Sequence, residues 1–184
     1  MTVEYQVYFL FQLNNFAITT NGVRLAPIAK ELKEAGIHRV TISLDALDPE
    51  ILGHMNGLGL PPTRVLEGVE AAIACDLAPK INMVVQKGVN ESEILPMARY
   101  FHERRVPIRF IEYMDVGNGR QWDRSQMVPS SEILETLRSE FVLDPLPPKT
   151  PGEVAQRFGN PEGDWEVGFV SSISKPFCGS CNRA

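Results

Sequence analysis

The residues with the clearest chemical potential stand together near position 180, in Pro176-Phe177-Cys178-Gly179-Ser180-Cys181-Asn182-Arg183. Cys178 and Cys181 are three apart, with a small Gly-Ser pair between them. That spacing lets two thiolates converge on one metal ion or cluster. The sequence holds three cysteines, and the other, Cys75, lies about a hundred residues upstream in a helical pattern. Spacing alone leaves a zinc half-site, an iron–sulfur half-site, a thiol–disulfide pair or no site at all. A thioredoxin-type role fits poorly, because the pair does not open a helix in a βαβ unit.

The elements that must position these residues alternate between two periods. Phe16 to Thr20 reads as a strand closed by the turn pair Asn21-Gly22. Leu25 to Ala35 puts Leu25, Ile28, Ala29 and Leu32 on one helical face, and Gly36 stops it. Arg39 to Leu44 is a strand. Asp48-Pro49-Glu50 is a helix start, with a capping carboxylate and proline at the first helical position. Thr63 is expected to cap a helix to about Cys75. Lys80 to Gln86 is a strand, and Asn90 with Glu93 resembles a capping box for a helix to Arg104. Pro107 to Met114 is the next strand, and Ser130 to Phe141 is helical. Asp144 to Gly152, with four prolines, reads as a stiff linker. Trp165 to Ser174 reads as a strand leading to the cysteines. Val3, Tyr5, Val7, Phe9 and Phe11 alternate as another strand.

Repeated strand–helix–strand steps with Val- and Ile-rich strands predict a parallel sheet covered by helices. No glycine-rich phosphate loop marks a dinucleotide crevice. The expected fold is therefore α/β, a partial (β/α) barrel of parallel strands with outer helices. The expected division is 1–143 for the barrel part, with 1–15 atypical, and 144–184 for a linker and the start of a cluster-binding region.

Composition bounds the function. With 184 residues, 43% hydrophobic and 22% charged, the chain can bury a sizeable core. A net charge of −5 gives no overall basic field for nucleic acid. The run Val7 to Phe11 is too short to span a bilayer and lacks a charged start, so no membrane role is expected. An odd, low cysteine count fits a reducing, cytoplasmic setting.

In such a fold, sites gather at the carboxyl ends of strands. That rule selects Thr19, Thr20 and Asn21, then Ser43 and Asp45, then Gln86 and Lys87, then Glu112, Met114 and Asp115. Hydroxyls, amides and carboxylates dominate the set, and the same types serve as caps and turn formers. His38, His54 and His102 are scattered, and no base–nucleophile pair is visible.

Five ordered motifs add a resemblance. They are Thr19-Thr20-Asn21-Gly22, Ser43-Leu44-Asp45-Ala46, Asn82 to Gly88 (NMVVQKG), Arg109 to Asp115 (RFIEYMD) and Phe177 to Arg183 (FCGSCNR). Together they resemble the molybdenum cofactor biosynthesis protein A family, the radical S-adenosylmethionine GTP 3′,8-cyclases, from about Thr19 onward. The resemblance implies cleavage of S-adenosylmethionine to a 5′-deoxyadenosyl radical, which takes hydrogen from the ribose of GTP before the ring closes. It implies a second four-iron (4Fe-4S) cluster with Cys178 and Cys181 as two of its three thiolates. It implies GTP contacts at Thr19, Lys80 and Arg183, and S-adenosylmethionine contacts at Ser43 and Met114. Arg183 suits an anionic nucleotide, whereas Lys80, near the start of its strand, reads unaided as a solvated end residue. The family implies a homodimer and a product passed to cyclic pyranopterin monophosphate synthase.

The family's CxxxCxxC for its first cluster and its glycine-rich S-adenosylmethionine segment are absent from this sequence, as are a third cluster cysteine and a second arginine after Cys181. The expectation is that this chain, by itself, is inactive. The alternative is a non-catalytic barrel remnant that binds nucleotide, or that shares zinc through Cys178 and Cys181 across a dimer.

Overall fold

A computed structural model describes residues 16–57, 59–114, 124–150, 152–160 and 163–175. The expected strand at Val3–Phe11, the loop around Trp122, and Cys178, Cys181 and Arg183 lie outside the described residues. The elements run β1 (Ala17–Thr20), α1 (Leu25–Glu34), β2 (Arg39–Ser43), α2 (Pro49–Asn56), α3 (Pro62–Ala74), β3 (Ala78–Val85), α4 (Ile94–Glu103), β4 (Ile108–Glu112), α5 (Ser130–Arg138), β5 (Asp144–Leu146), β6 (Gln156–Gly159) and β7 (Glu166–Val170).

The seven strands of the described residues form one sheet in the order β1-β2-β3-β4-β7-β6-β5. The first four and β7 pair in parallel. β6 and β5 follow antiparallel. Among the described residues the sheet does not close, as a partial barrel requires.

Strand alternation sorts the sheet into two faces. One carries Val40, Ile42, Ile81, Met83, Val85, Ile108, Phe110, Val167 and Phe169, each 0–1% exposed. These pack with Leu25, Ala29, Val65, Val69, Ala72, Met97, Phe101, Ile133 and Leu137 of the helices into one core. Phe110 and Phe169 stack across β4 and β7, ring centroids 5.9 Å apart. The other face carries Thr41, Ser43, Lys80, Asn82, Arg109 and Glu166, all half-buried or exposed.

Two glycines permit the close approach of α1, α3 and β2. Gly22 has φ +77°, and a Cβ there would meet Ile42 Cγ2 and Val65 Cγ1 at 2.9 Å each. A Cβ on Gly68 would sit 2.7 Å from the Gly22 carbonyl oxygen. At α2, the Asp48 carboxylate accepts from Glu50 N at 2.8 Å and Ile51 N at 3.0 Å, as the capping pattern predicts.

Three local expectations fail for identifiable reasons. Helix α3 starts one residue before Thr63, because Pro62 takes its first position after extended Pro61. Asn90 and Glu93 form no capping box; both side chains are drawn into loops at the ends of β2 and β3. The proline-rich stretch is partly a strand, with Pro145 opposite Phe158 on the outermost strand of the described sheet. An edge position tolerates a residue without N–H. No helix among the described residues is long and apolar enough to cross a membrane.

Candidate functional site

Register decides which polar residues share the open face. Thr19, Thr41 and Lys80 lie side by side on β1, β2 and β3. One pleat further along, Ser43, Asn82, Arg109, Gly168 and Arg157 form the next row across β2, β3, β4, β7 and β6. Thr41 and Ser43 are two apart, as are Lys80 and Asn82, so both rows face the same side. Thr19, Ser43 and Lys80 are thus brought together. Met114, 39% exposed, lies two residues beyond the end of β4.

Lys80 is not a solvated end residue. β3 begins two residues earlier than its apolar pattern suggests, which moves Lys80 inside the sheet. Burial first, then the Arg109 guanidinium, pulls its ammonium down to about 8. Glu166 acts in the opposite direction and stabilises the charge. Lys80, Arg109, Arg157, Glu153, Glu166 and Gly168 line a small cleft. Glu166 bonds Arg157 and, at 3.0 Å, Lys149. Burial raises the Glu166 carboxyl, but Arg157 and Lys149 outweigh it and hold the group below its ordinary value.

Of the carboxylates selected at strand ends, Asp115 lies outside the described residues, and Glu112 and Asp45 do structural work. Glu112 is fully buried. Its oxygens accept from Ser130 N and Oγ at 2.9 Å each, from Ile173 N and Ser174 N at 2.9 Å each, and from Ser174 Oγ. Burial raises this carboxyl, but the donors from Ser174, Ser130 and Ile173 prevail and hold it low. Glu112 thereby fastens the segment ending at Ser174 to the carboxyl end of β4. Cys178 follows four residues later in the chain.

Asp45 accepts from Val84 N at 2.8 Å, and burial pushes its carboxyl up. Asn90 donates to Asp45 O at 2.7 Å and Val84 O at 2.8 Å, and accepts from Gln86 N at 2.8 Å. Glu93 accepts from Leu47 N at 2.6 Å and Asp48 N at 3.0 Å. These bonds lock the loops after β2 and β3 and leave their carboxylates occupied.

Asn82, Arg109, Arg157 and Glu166 were missed as individual site residues. The signal for the first two is a polar residue at alternate positions of an otherwise apolar strand, Lys80-Ile81-Asn82 and Ile108-Arg109-Phe110. Among the described residues no cluster of His, Cys, Asp or Glu could hold a metal ion. Cys75 packs against the helical core. The open face therefore fits a polar, anionic small molecule, and the described residues do not fit an iron–sulfur cluster.

Comparison with known proteins bears on the family and the fold. Residues 6–101 match the Radical SAM superfamily, and residues 106–184 match the family described as Molybdenum Cofactor Synthesis C. The GTP 3′,8-cyclase of Staphylococcus haemolyticus is 38% identical over 172 residues, covering 94% of this chain and 51% of that protein. The GTP 3′,8-cyclase of Acidothermus cellulolyticus is 41% identical over 172 residues, covering 93% and 48%. The chain thus spans about half the length of the relatives it matches. A solved structure, native anSMEcpe with bound AdoMet, shares the fold at 20% identity with a TM-score of 0.54, covering 69% of this chain and 36% of that one. The chain belongs to the Radical SAM superfamily.

Proposed function

We propose that this chain supplies the nucleotide-holding face of a GTP 3′,8-cyclase acting in molybdenum cofactor synthesis. The observation that carries the reading is the polar half of the sheet, where Thr19, Ser43 and Lys80 stand in two adjacent rows. In that reading Thr19, Lys80 and Arg183 contact GTP. Ser43 and Met114 contact S-adenosylmethionine. Cys178 and Cys181 would supply two of the three thiolates of a second four-iron cluster whose open iron would bind the GTP base, while the first cluster, which would supply the electron that cleaves S-adenosylmethionine, is held by other residues of the complete protein. The part of the chain up to about residue 143 builds the barrel wall, and residues 144–184 lead into the cluster-binding region. A homodimer and transfer of product to cyclic pyranopterin monophosphate synthase complete the reading.

The residues on the open face have separable tasks. Lys80, beside Arg109, offers positive charge to phosphate oxygens through charge-assisted hydrogen bonds. Thr19 and Ser43 offer short hydroxyls that both donate and accept. The bonds to Glu112 fix where the chain leaves β7, so the cysteine segment starts from a defined point.

Equilibrium dialysis with GTP and S-adenosylmethionine tests this assignment. Both should bind; Lys80→Ala should weaken GTP alone, and Ser43→Ala should weaken S-adenosylmethionine alone. Binding of neither ligand, or equal loss of both in each variant, overturns it.

A further inference from the structure

Strand β1 is the outermost strand of the described sheet and pairs with β2 alone. The face that Val40 and Ile42 bury completely on β2 continues onto β1 at Ile18, which is only half-buried, and Phe16 just before it is 50% exposed. The backbone shows which groups look outward. Arg39 N donates to Phe16 O at 3.2 Å, so Phe16, and by alternation Ile18 and Thr20, turn their N–H and C=O toward β2. Ala17 and Thr19 turn theirs to the other edge, where no strand lies among the described residues. An edge that combines apolar side chains with unpaired strand backbone is a surface that folded chains cover.

The sequence that leads directly into β1 has the pattern to cover it. Val7, Phe9 and Phe11 alternate with Tyr8, Leu10 and Gln12, and Leu13-Asn14-Asn15-Phe16 separates them from Ala17. A connection this short joins antiparallel strands only, since a parallel pair needs a crossover of about a dozen residues or more. Four-residue hairpin loops built around a type I turn are common, and asparagine suits such a turn. A tighter type I′ loop at Asn15-Phe16 is excluded, because Phe16 does not have the positive φ it requires. With the four-residue loop, Gln12 lies opposite Ala17 and Leu10 opposite Thr19, the two residues whose backbone faces the edge. Phe11 then lies opposite Ile18 and Phe9 opposite Thr20, in phase with the apolar face. A slip of one residue would turn Phe9 and Phe11 to the side of Thr19, Thr41 and Lys80. We propose that residues 7–12 pair antiparallel with the outer edge of β1, through a hairpin loop at residues 13–16, so that Phe9 and Phe11 extend the apolar face and cover the edge. This holds whatever the open face binds.

Nuclear magnetic resonance of the full chain tests this. The amides of Ala17 and Thr19 should exchange with solvent at least about a hundredfold more slowly than in an unstructured peptide. Phe11 and Ile18, a non-hydrogen-bonded pair in this register, should show a direct Hα–Hα contact. Leu10→Pro removes the N–H that donates to Thr19 O in the hairpin. That variant should return both amides to near-peptide rates while the amides of β2 stay protected. Fast exchange at Ala17 and Thr19 in the unaltered chain, with β2 protected, overturns the proposal. So does an Hα contact of Ile18 with Leu10 or Gln12, which marks the slipped register. Protection that is lost on dilution and indifferent to Leu10→Pro assigns the edge to a second copy of the chain, and overturns it as well. Because the contact between Phe11 and Ile18 is read in the unaltered chain, the outcome stands even if Leu10→Pro fails to fold.

Discussion

Glu112→Gln isolates the bond set that anchors the approach to the cysteines. The substitution keeps volume and one oxygen but replaces the other with an NH2 that cannot accept. Oε1 receives three donors and Oε2 two, so at least two donors lose their partner whichever way the amide turns. A hydrogen bond to a charged acceptor is worth about 1.5–3 kcal/mol, so two of them put the loss at roughly 3–6 kcal/mol. For a chain of this size that lowers the melting temperature by roughly 10 °C. The sign with pH follows from the depressed carboxyl. Its contribution is complete above the unfolded carboxyl value of about 4.3 and is lost as pH falls through the lower folded value. Urea unfolding followed by circular dichroism should therefore show a constant gap between wild type and variant from pH 8 to pH 5, closing in stronger acid. A gap under about 0.5 kcal/mol at pH 7, the range of neutral surface changes, would refute the reasoning.

Other predictions concern single positions. GTP affinity should fall as pH rises through about 8, where Lys80 loses its proton, and Lys80→Arg should flatten the profile; titration calorimetry at pH 7 and pH 9 reads this. The same lowered value means that chain stability rises with pH between about 8 and the unfolded lysine value of about 10.4, a rise Lys80→Met should abolish. Gly22→Ala should cost about 1–3 kcal/mol in urea unfolding, through positive φ and contacts at 2.9 Å with Ile42 and Val65. Asn90→Ala should cost about 3 kcal/mol, since three bonds of a buried side chain disappear, one of them joining the loops after β2 and β3.

Much of the fold was legible because period and punctuation agree. Leu25, Ala29, Val65, Val69 and Ala72 recur at helical spacing and are buried, while Val40, Ile42, Ile81 and Met83 alternate and are buried. Asp48-Pro49 announced its helix through local chemistry that acts within three residues. What failed depended on partners distant in sequence. Asn90 reads as a cap until Asp45, some forty-five residues away, offers it a carbonyl. Pro145 reads as linker until β6, which carries little apolar signal, gives it an edge to lie against. Lys80 reads as a strand end because its burial comes from Arg109 and the β6–β7 hairpin rather than from its own neighbours. The fate of Glu112 was hidden likewise, since its donors come from residues 130, 173 and 174. The candidate site was legible as residue types at strand ends. Its rows were not, because register is a property of strand pairs.

The central claim is that nucleotide rests on the open face against Lys80. Amine acetylation at pH 8, quantified per lysine by mass spectrometry, tests it most directly. Lys80, with its ammonium lowered to about 8, should be labelled readily without ligand and protected by GTP, while exposed Lys30 on α1 reacts equally in both samples. Equal labelling of Lys80 with and without saturating GTP would contradict the account.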